Sequence, residues 1–205
     1  NKDFHKLGIW LDFENAYMPV KNEYIEGVWW LVKRAHEENR LYKGFRALAW
    51  CADCSTALAK HEQEYKEITD KSIFLKFKVI GTENEYLVVW TTTPWTIAFN
   101  LAVMVNPELD YVKAKVDNEI WILAKGLAAP VVQAVANKTM EIVDEFKGEK
   151  LQGLKYTHPW EKDINFIGKT GNPDALHSVL LSKEYVHLTA GTGLVHTAPG
   201  CGPED

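Results

Sequence analysis

The chain has 205 residues, of which 46% are hydrophobic, 12% aromatic and 25% charged; that is ordinary globular content, enough for one sizeable core. A formal net charge of −5 argues against gripping nucleic acid by overall charge, and no stretch approaches the roughly 18 apolar residues of a membrane span, so no membrane role is expected. Three cysteines, two of them in Cys51-Ala-Asp-Cys54, do not form a secreted disulfide framework, and a reducing, cytoplasmic setting is the expectation. The start at Asn1 lacks a signal-peptide pattern and the end at Asp205 is abrupt, so the chain reads as a piece of something longer.

From Asn22 to about Leu41, Ile25, Val28, Trp29, Val32 and Ala35 repeat at the spacing of one helix face. A turn at Gly44, a short strand and a tight Cys-x-x-Cys loop follow. After a Glu/Lys-rich passage come strand candidates at Ser72–Ile80, Glu85–Thr92, Leu101–Val105, Asp110–Val116 and Glu119–Ala124, with Asp117-Asn118 as a hairpin turn. Gly126–Ala136 reads as a short helix with Pro130 near its start or kinking it. Further strands are expected at Thr139–Glu145, Leu176–Leu181 and Thr192–Thr197, and Lys147–Pro173 as surface loop with short elements. This inventory predicts a mainly β, barrel-like domain with peripheral helices over 46–205, preceded by a helical lead-in over 1–45.

The string WTTTPWT, Trp90 to Thr96, carries the first chemical signal. β-branched residues suit a pleated strand, so three threonines alone say no more than strand. Thr91 and Thr93 face one way and Thr92 the other, and Pro94 ends or bends the strand. Hydroxyls gathered at such an end can bind a carbonyl or hold a water. The tail GTGLVHTAPGCGPED sets His196 in a strand with Asp205 nine positions on, and its glycines and prolines suit close backbone approach and stiff turns. A lone strand histidine is ordinarily a packed one, a terminal Asp means less still, and neither nucleotide-binding glycine fingerprint occurs. Cys51 and Cys54 supply half of a tetrahedral zinc site, with too few partners here to complete it. No nucleophile elbow is present and no Cys has a base partner, so a hydrolase built from this sequence would use water.

Together, WTTTPWTIAFN, LAVMVNPELDYV, GLKYTHPW and GTGLVHTAPGCGPED resemble, in order, the editing domain of isoleucyl-tRNA synthetases, class I aminoacyl-tRNA synthetases. HKLGIWLDFENAYMP and LYKGFRALAWCADCSTALAKHEQEYKE resemble the segment that leads into it. The Thr-Thr-Thr-Pro-Trp-Thr form points to the isoleucyl enzyme, since its valyl and leucyl relatives carry Thr-Thr-Arg-Pro. The resemblance implies a closed β-barrel inserted in an ATP-using synthetase. Its activity would be hydrolysis of valine wrongly esterified to the 3′ acceptor end of isoleucine tRNA. One methylene is worth only ~1–3 kcal/mol of selectivity, a figure for which the isoleucine enzyme's rejection of valine is itself the worked example.

The same resemblance implies roles residue by residue. Asp205 would pair with the substrate α-ammonium. Thr91, Thr92 and Thr93 would line the pocket and position the ester carbonyl and water. Trp95 would wall the site, His196 would narrow it or act as a base, and Asn100 matches a position associated with editing. Ala98 and Cys201 depart from the pattern, standing where Pro and His are frequent. Editing would need no cofactor, and zinc would belong to the full-length parent, completed by a second Cys-x-x-Cys elsewhere. The rest of that parent and isoleucine tRNA are the expected partners. The alternative is a non-catalytic module that only binds the tRNA acceptor end. Neither His-x-Gly-His nor Lys-Met-Ser-Lys-Ser occurs, so aminoacylation itself is not expected of these residues.

Overall fold

The computed structural model describes residues 2–164, 173–202 and 205. The surface-loop reading of 165–172 and the stiffening assigned to Pro203 lie outside them. The chain divides into two compact units, one ending at Phe45 and the other beginning at Arg46.

The first unit holds α1, Lys2–Lys6, and α2, Asn22–Glu37. Helix α2 stops short of the predicted Leu41 because Asn39 takes a left-handed φ of 56°, a conformation Asn tolerates and helix ends exploit. The Arg40 N–H then closes the end on the Ala35 carbonyl at 2.8 Å. Arg34 reaches Glu37 and Glu38, each at 3.2 Å, on the helix's polar side.

The second unit opens with the Cys-x-x-Cys hairpin, β1 (Trp50–Cys51) paired with β2 (Thr56–Ala57). Then come β3 (Ile73–Val79), β4 (Glu85–Thr91), a 3₁₀ turn over Pro94–Phe99, β5 (Ala102–Val105), β6 (Asp110–Val116) and β7 (Glu119–Ala124). Asp117 takes φ 53° in the hairpin between β6 and β7. Helix α3 (Lys125–Ala129) runs at Pro130 into a wider, π-type turn, in which the Ala136 N–H bonds the Val131 carbonyl five residues back at 3.0 Å. Proline removes one N–H from the ladder, and the helix continues past it by widening. The chain closes with β8 (Glu141–Lys147), β9 (Tyr156–Thr157), β10 (Ser178–Leu181) and β11 (Leu194–Thr197).

The strands form a six-stranded sheet, β8-β6-β7-β4-β3-β9, with β4 and β7 parallel, and a three-stranded sheet, β10-β5-β11, with β5 and β10 parallel. Leu87, Val88, Val89, Ile122 and Leu123 of the larger sheet share one core with Val103, Val105, Val179 and Leu194 of the smaller, and with Ala128, Val131 and Val132 of the helical segment. Consecutive residues of β4 and β7 are therefore buried, as in a sheet covered on both faces.

The closed barrel implied by the family resemblance is not formed: among the described residues neither sheet closes. The larger sheet ends at two edges. One is β8, whose residues 141–145 are exposed and largely acidic, with a register shift opposite Lys113 and Ala114; charge and irregularity of this kind keep an edge from pairing onward. The other is β9, two residues long. Near β9 the sheets meet through isolated bonds, Val179 N–H to the Leu154 carbonyl at 2.9 Å and Tyr156 N–H to that of His177 at 3.0 Å, with one bridge between Lys155 and Ser178. That seam joins two layers without continuing a ladder.

Buried Tyr111 ties the sheet to the tail. Its hydroxyl donates to the Gly193 carbonyl at 2.7 Å and accepts the Asn106 N–H at 3.0 Å. Gly193 sits at φ 75°, and a Cβ there would lie 2.3 Å from the Ala124 Cβ. Gly153 has a similar φ, 76°, and a Cβ there would meet nothing within 4 Å among the described residues. Gly193→Ala is therefore expected to cost on the order of 2–3 kcal/mol and Gly153→Ala only about 1, the difference being the collision with β7. Urea midpoints of the two variants check this.

Candidate active site at the end of strand β4

Thr91 is the last residue of β4, and Pro94 opens the 3₁₀ turn that follows, where its missing N–H is no loss. Strand β5 returns beside β11 with His196 opposite Val103. The threonine turn and His196 thus meet although about a hundred residues separate them in sequence.

Their contact is a chain of hydroxyls. Thr91 Oγ1 accepts the Thr93 N–H at 3.0 Å and lies 3.2 Å from Thr93 Oγ1. Thr93 Oγ1 lies 3.2 Å from Thr96 Oγ1, which is 2.7 Å from the Thr93 carbonyl and 3.1 Å from His196 Nε2. A carbonyl only accepts, so the single Thr96 proton points at it. Thr96 Oγ1 must then accept from Thr93 and from His196. The proton count makes His196 the Nε2–H tautomer and leaves its buried Nδ1, which has no partner among the described residues, as a bare lone pair. The opposite tautomer would bury an unpaired N–H as well as break the Thr96 contact.

Thr92, on the other side of the strand, is exposed and makes no side-chain hydrogen bond among the described residues. Its hydroxyl is available to a ligand, whereas those of Thr91 and Thr93 are committed to the chain. All three threonines, Trp95, Thr96, His196 and Asp205 line one cavity of about 460 Å³, with Trp90, Met104, Tyr185 and Cys201 among the other walls. Trp95 is 66% exposed at its edge. Asp205 accepts the Ala198 N–H on one carboxylate oxygen at 3.0 Å, which leaves lone-pair capacity for a cation.

Asn100 does not line this cavity. It is fully buried; its amide donates to the Ala102 carbonyl at 2.8 Å and the Thr197 carbonyl at 3.4 Å, and its oxygen accepts from the Tyr156 hydroxyl at 2.6 Å. Cys51 and Cys54 sit in the β1–β2 hairpin outside the cavity, where Cys51 Sγ accepts the Cys54 N–H at 3.4 Å. That bond holds the Cys51 thiol below its ordinary pKa. Among the described residues no group of three His, Cys, Asp or Glu could hold a metal ion. Thr96, which closes the WTTTPWT string and had no role assigned from sequence, is the hub of the hydroxyl chain.

Residues 1–161 match the family described as tRNA synthetases class I (I, L, M and V). The chain belongs to the class I tRNA synthetases. It is 45% identical to the isoleucine–tRNA ligase of Methanocaldococcus jannaschii and 50% identical to that of Pyrococcus abyssi, in both cases over 100% of this chain and 20% of the relative. The chain thus spans about one fifth of the length of the synthetases it matches. Among solved structures, GlLeuRS-CP1 aligns with a TM-score of 0.47 at 18% identity, covering 62% of this chain and 52% of that one. Among the described residues no helix is long and apolar enough to cross a membrane.

Burial favours the neutral form of the histidines around this region. His196 is held below its ordinary pKa by burial, against a smaller opposing pull from Asp205. His158 is likewise lowered by burial, and His177 is pushed down to about 4 by burial and by neighbouring His158. Unfolding releases all three to about 6.5, so below that pH the unfolded chain binds more protons than the folded one. Their contribution to stability is complete above pH ~6.5 and is lost as pH falls below it, down to about 4 for His177. Melting temperatures across that range should drop steadily on the acid side, and His177→Gln should flatten the slope.

Proposed function

We propose that this chain hydrolyses the ester of valine mischarged onto isoleucine tRNA, the editing step of an isoleucyl-tRNA synthetase. The observation that carries the reading is the single cavity in which a free hydroxyl, Thr92, and a carboxylate, Asp205, face the hydroxyl chain ending at His196. The Asp205 carboxylate takes the substrate α-ammonium in a charge-assisted hydrogen bond. Thr92 holds the ester carbonyl or the attacking water. Water adds to the carbonyl carbon, the ester C–O bond breaks, and the ribose oxygen leaves with a proton, giving valine and uncharged tRNA. His196, whose Nε2 proton is committed to Thr96, serves as a wall of the amino-acid pocket. Its ring excludes the extra methylene of isoleucine.

Nothing in this scheme calls for a cofactor. A zinc ion at Cys51 and Cys54 would have a structural role and would need ligands from outside these residues. The reading places the chain in the cytoplasm, acting on the tRNA acceptor end with the rest of a synthetase.

Deacylation of valyl-tRNA and isoleucyl-tRNA by wild type, Asp205→Asn and His196→Ala provides the test. Asp205→Asn should lower valyl-tRNA hydrolysis roughly ten- to a hundredfold, the loss of one charge-assisted bond. His196→Ala should keep valyl-tRNA hydrolysis and begin to attack isoleucyl-tRNA. A wild-type chain that binds the tRNA end without hydrolysing either ester would make this a binding module instead. A folded Asp205→Asn with undiminished activity would remove the ammonium assignment.

A further inference from the structure

The stretch GLKYTHPW stands out in the sequence yet contributes no residue to the cavity wall. Its Tyr156 and His158 are each 1% exposed, and both reach the far end of the turn that carries Thr93 and Thr96. The Tyr156 hydroxyl donates to Asn100 Oδ1 at 2.6 Å. His158 Nε2 lies 2.8 Å from the Ile97 carbonyl and must donate to it, while Nδ1 accepts the Trp160 N–H at 3.0 Å. One neutral tautomer satisfies both ring nitrogens.

These contacts bracket the Thr96–His196 hydrogen bond. Ile97 is the residue after Thr96. Asn100, gripped by Tyr156, donates to the carbonyls of Ala102 in β5 and of Thr197, the residue after His196 in β11. One clamp thus fixes the backbone beside each partner of the 3.1 Å contact. A six-residue 3₁₀ turn has poor hydrogen-bond geometry of its own and does not hold a side chain in register without outside support.

We infer that Tyr156 and His158 are positioning residues for editing: they register the threonine turn against β11 so that Thr96 meets His196 and Thr92 meets the substrate. The inference rests on the proposed hydrolysis. It gives Asn100 a role that needs no substrate contact.

The test uses Tyr156→Phe, His158→Ala and His158→Gln in the full chain, each checked for folding by thermal melting. Two quantities are read: kcat and KM for valyl-tRNA deacylation, and the solvent exchange rate of the His196 Nε2 proton by NMR without substrate. Tyr156→Phe and His158→Ala should lower kcat by roughly tenfold with KM held within about twofold, the mark of lost positioning rather than lost binding. Both should speed exchange of the His196 proton. A glutamine side-chain amide can still donate to the Ile97 carbonyl, so His158→Gln should restore most of both signals. Folded Tyr156→Phe and His158→Ala with wild-type kcat and wild-type exchange would overturn the inference, as would a rise in KM alone. If the wild type does not deacylate valyl-tRNA, the proposed function fails on its own; the proton exchange then decides the positioning role, acceleration supporting it and no change refuting it. If His158→Ala does not fold, Tyr156→Phe, which removes one oxygen, decides alone.

Discussion

The Thr96 hydroxyl has one proton, and the Thr93 carbonyl at 2.7 Å takes it. Its oxygen can then only accept, from Thr93 on one side and from His196 on the other. This one allocation fixes the direction of every hydroxyl in the chain, the tautomer of His196 and the identity of the threonine left over for a ligand. It also separates two possible roles for His196. A ring whose Nε2 proton is tied to Thr96, and whose other nitrogen is buried, is well placed to limit pocket size and poorly placed to draw a proton from water.

The fold makes that contact by bringing two chain ends of different character together. One is the 3₁₀ turn after β4, stopped by a proline. The other is β11, laid antiparallel on β5 and fed by a loop whose Gly193 carbonyl is held by Tyr111. Asn100 joins the two from behind with three hydrogen bonds and no exposed surface. A buried amide with all these partners satisfied adds rigidity that an apolar residue of the same size would not supply.

Most individual strands were legible because their cues are local. Alternation and β-branched content marked β3 to β7, and Asp117-Asn118 marked a turn that does adopt a left-handed φ. Strand β9 was not legible, since two residues carry no periodicity. Its place comes from what Tyr156 bonds in space. The barrel, expected from the strand inventory as well as from resemblance, does not form, because closure depends on whether the two outermost edges meet in a ladder. Here an acidic, bulged β8 and a two-residue β9 do not.

The same division runs through the site. The sequence by itself singled out the candidate residues: three threonines before a proline, a histidine among small residues and a carboxylate after a glycine-rich turn. It also determined the family, since those strings keep their order along the chain. Only the tertiary structure decided how they divide the work. It committed the hydroxyls of Thr91 and Thr93 to the chain, left that of Thr92 to the cavity, linked Thr96 to His196, and set Asn100 behind the wall instead of in it. Residue type states what a group can donate or accept. Which partner uses up each donor depends on distances of about 3 Å between segments a hundred residues apart, and only packing sets those.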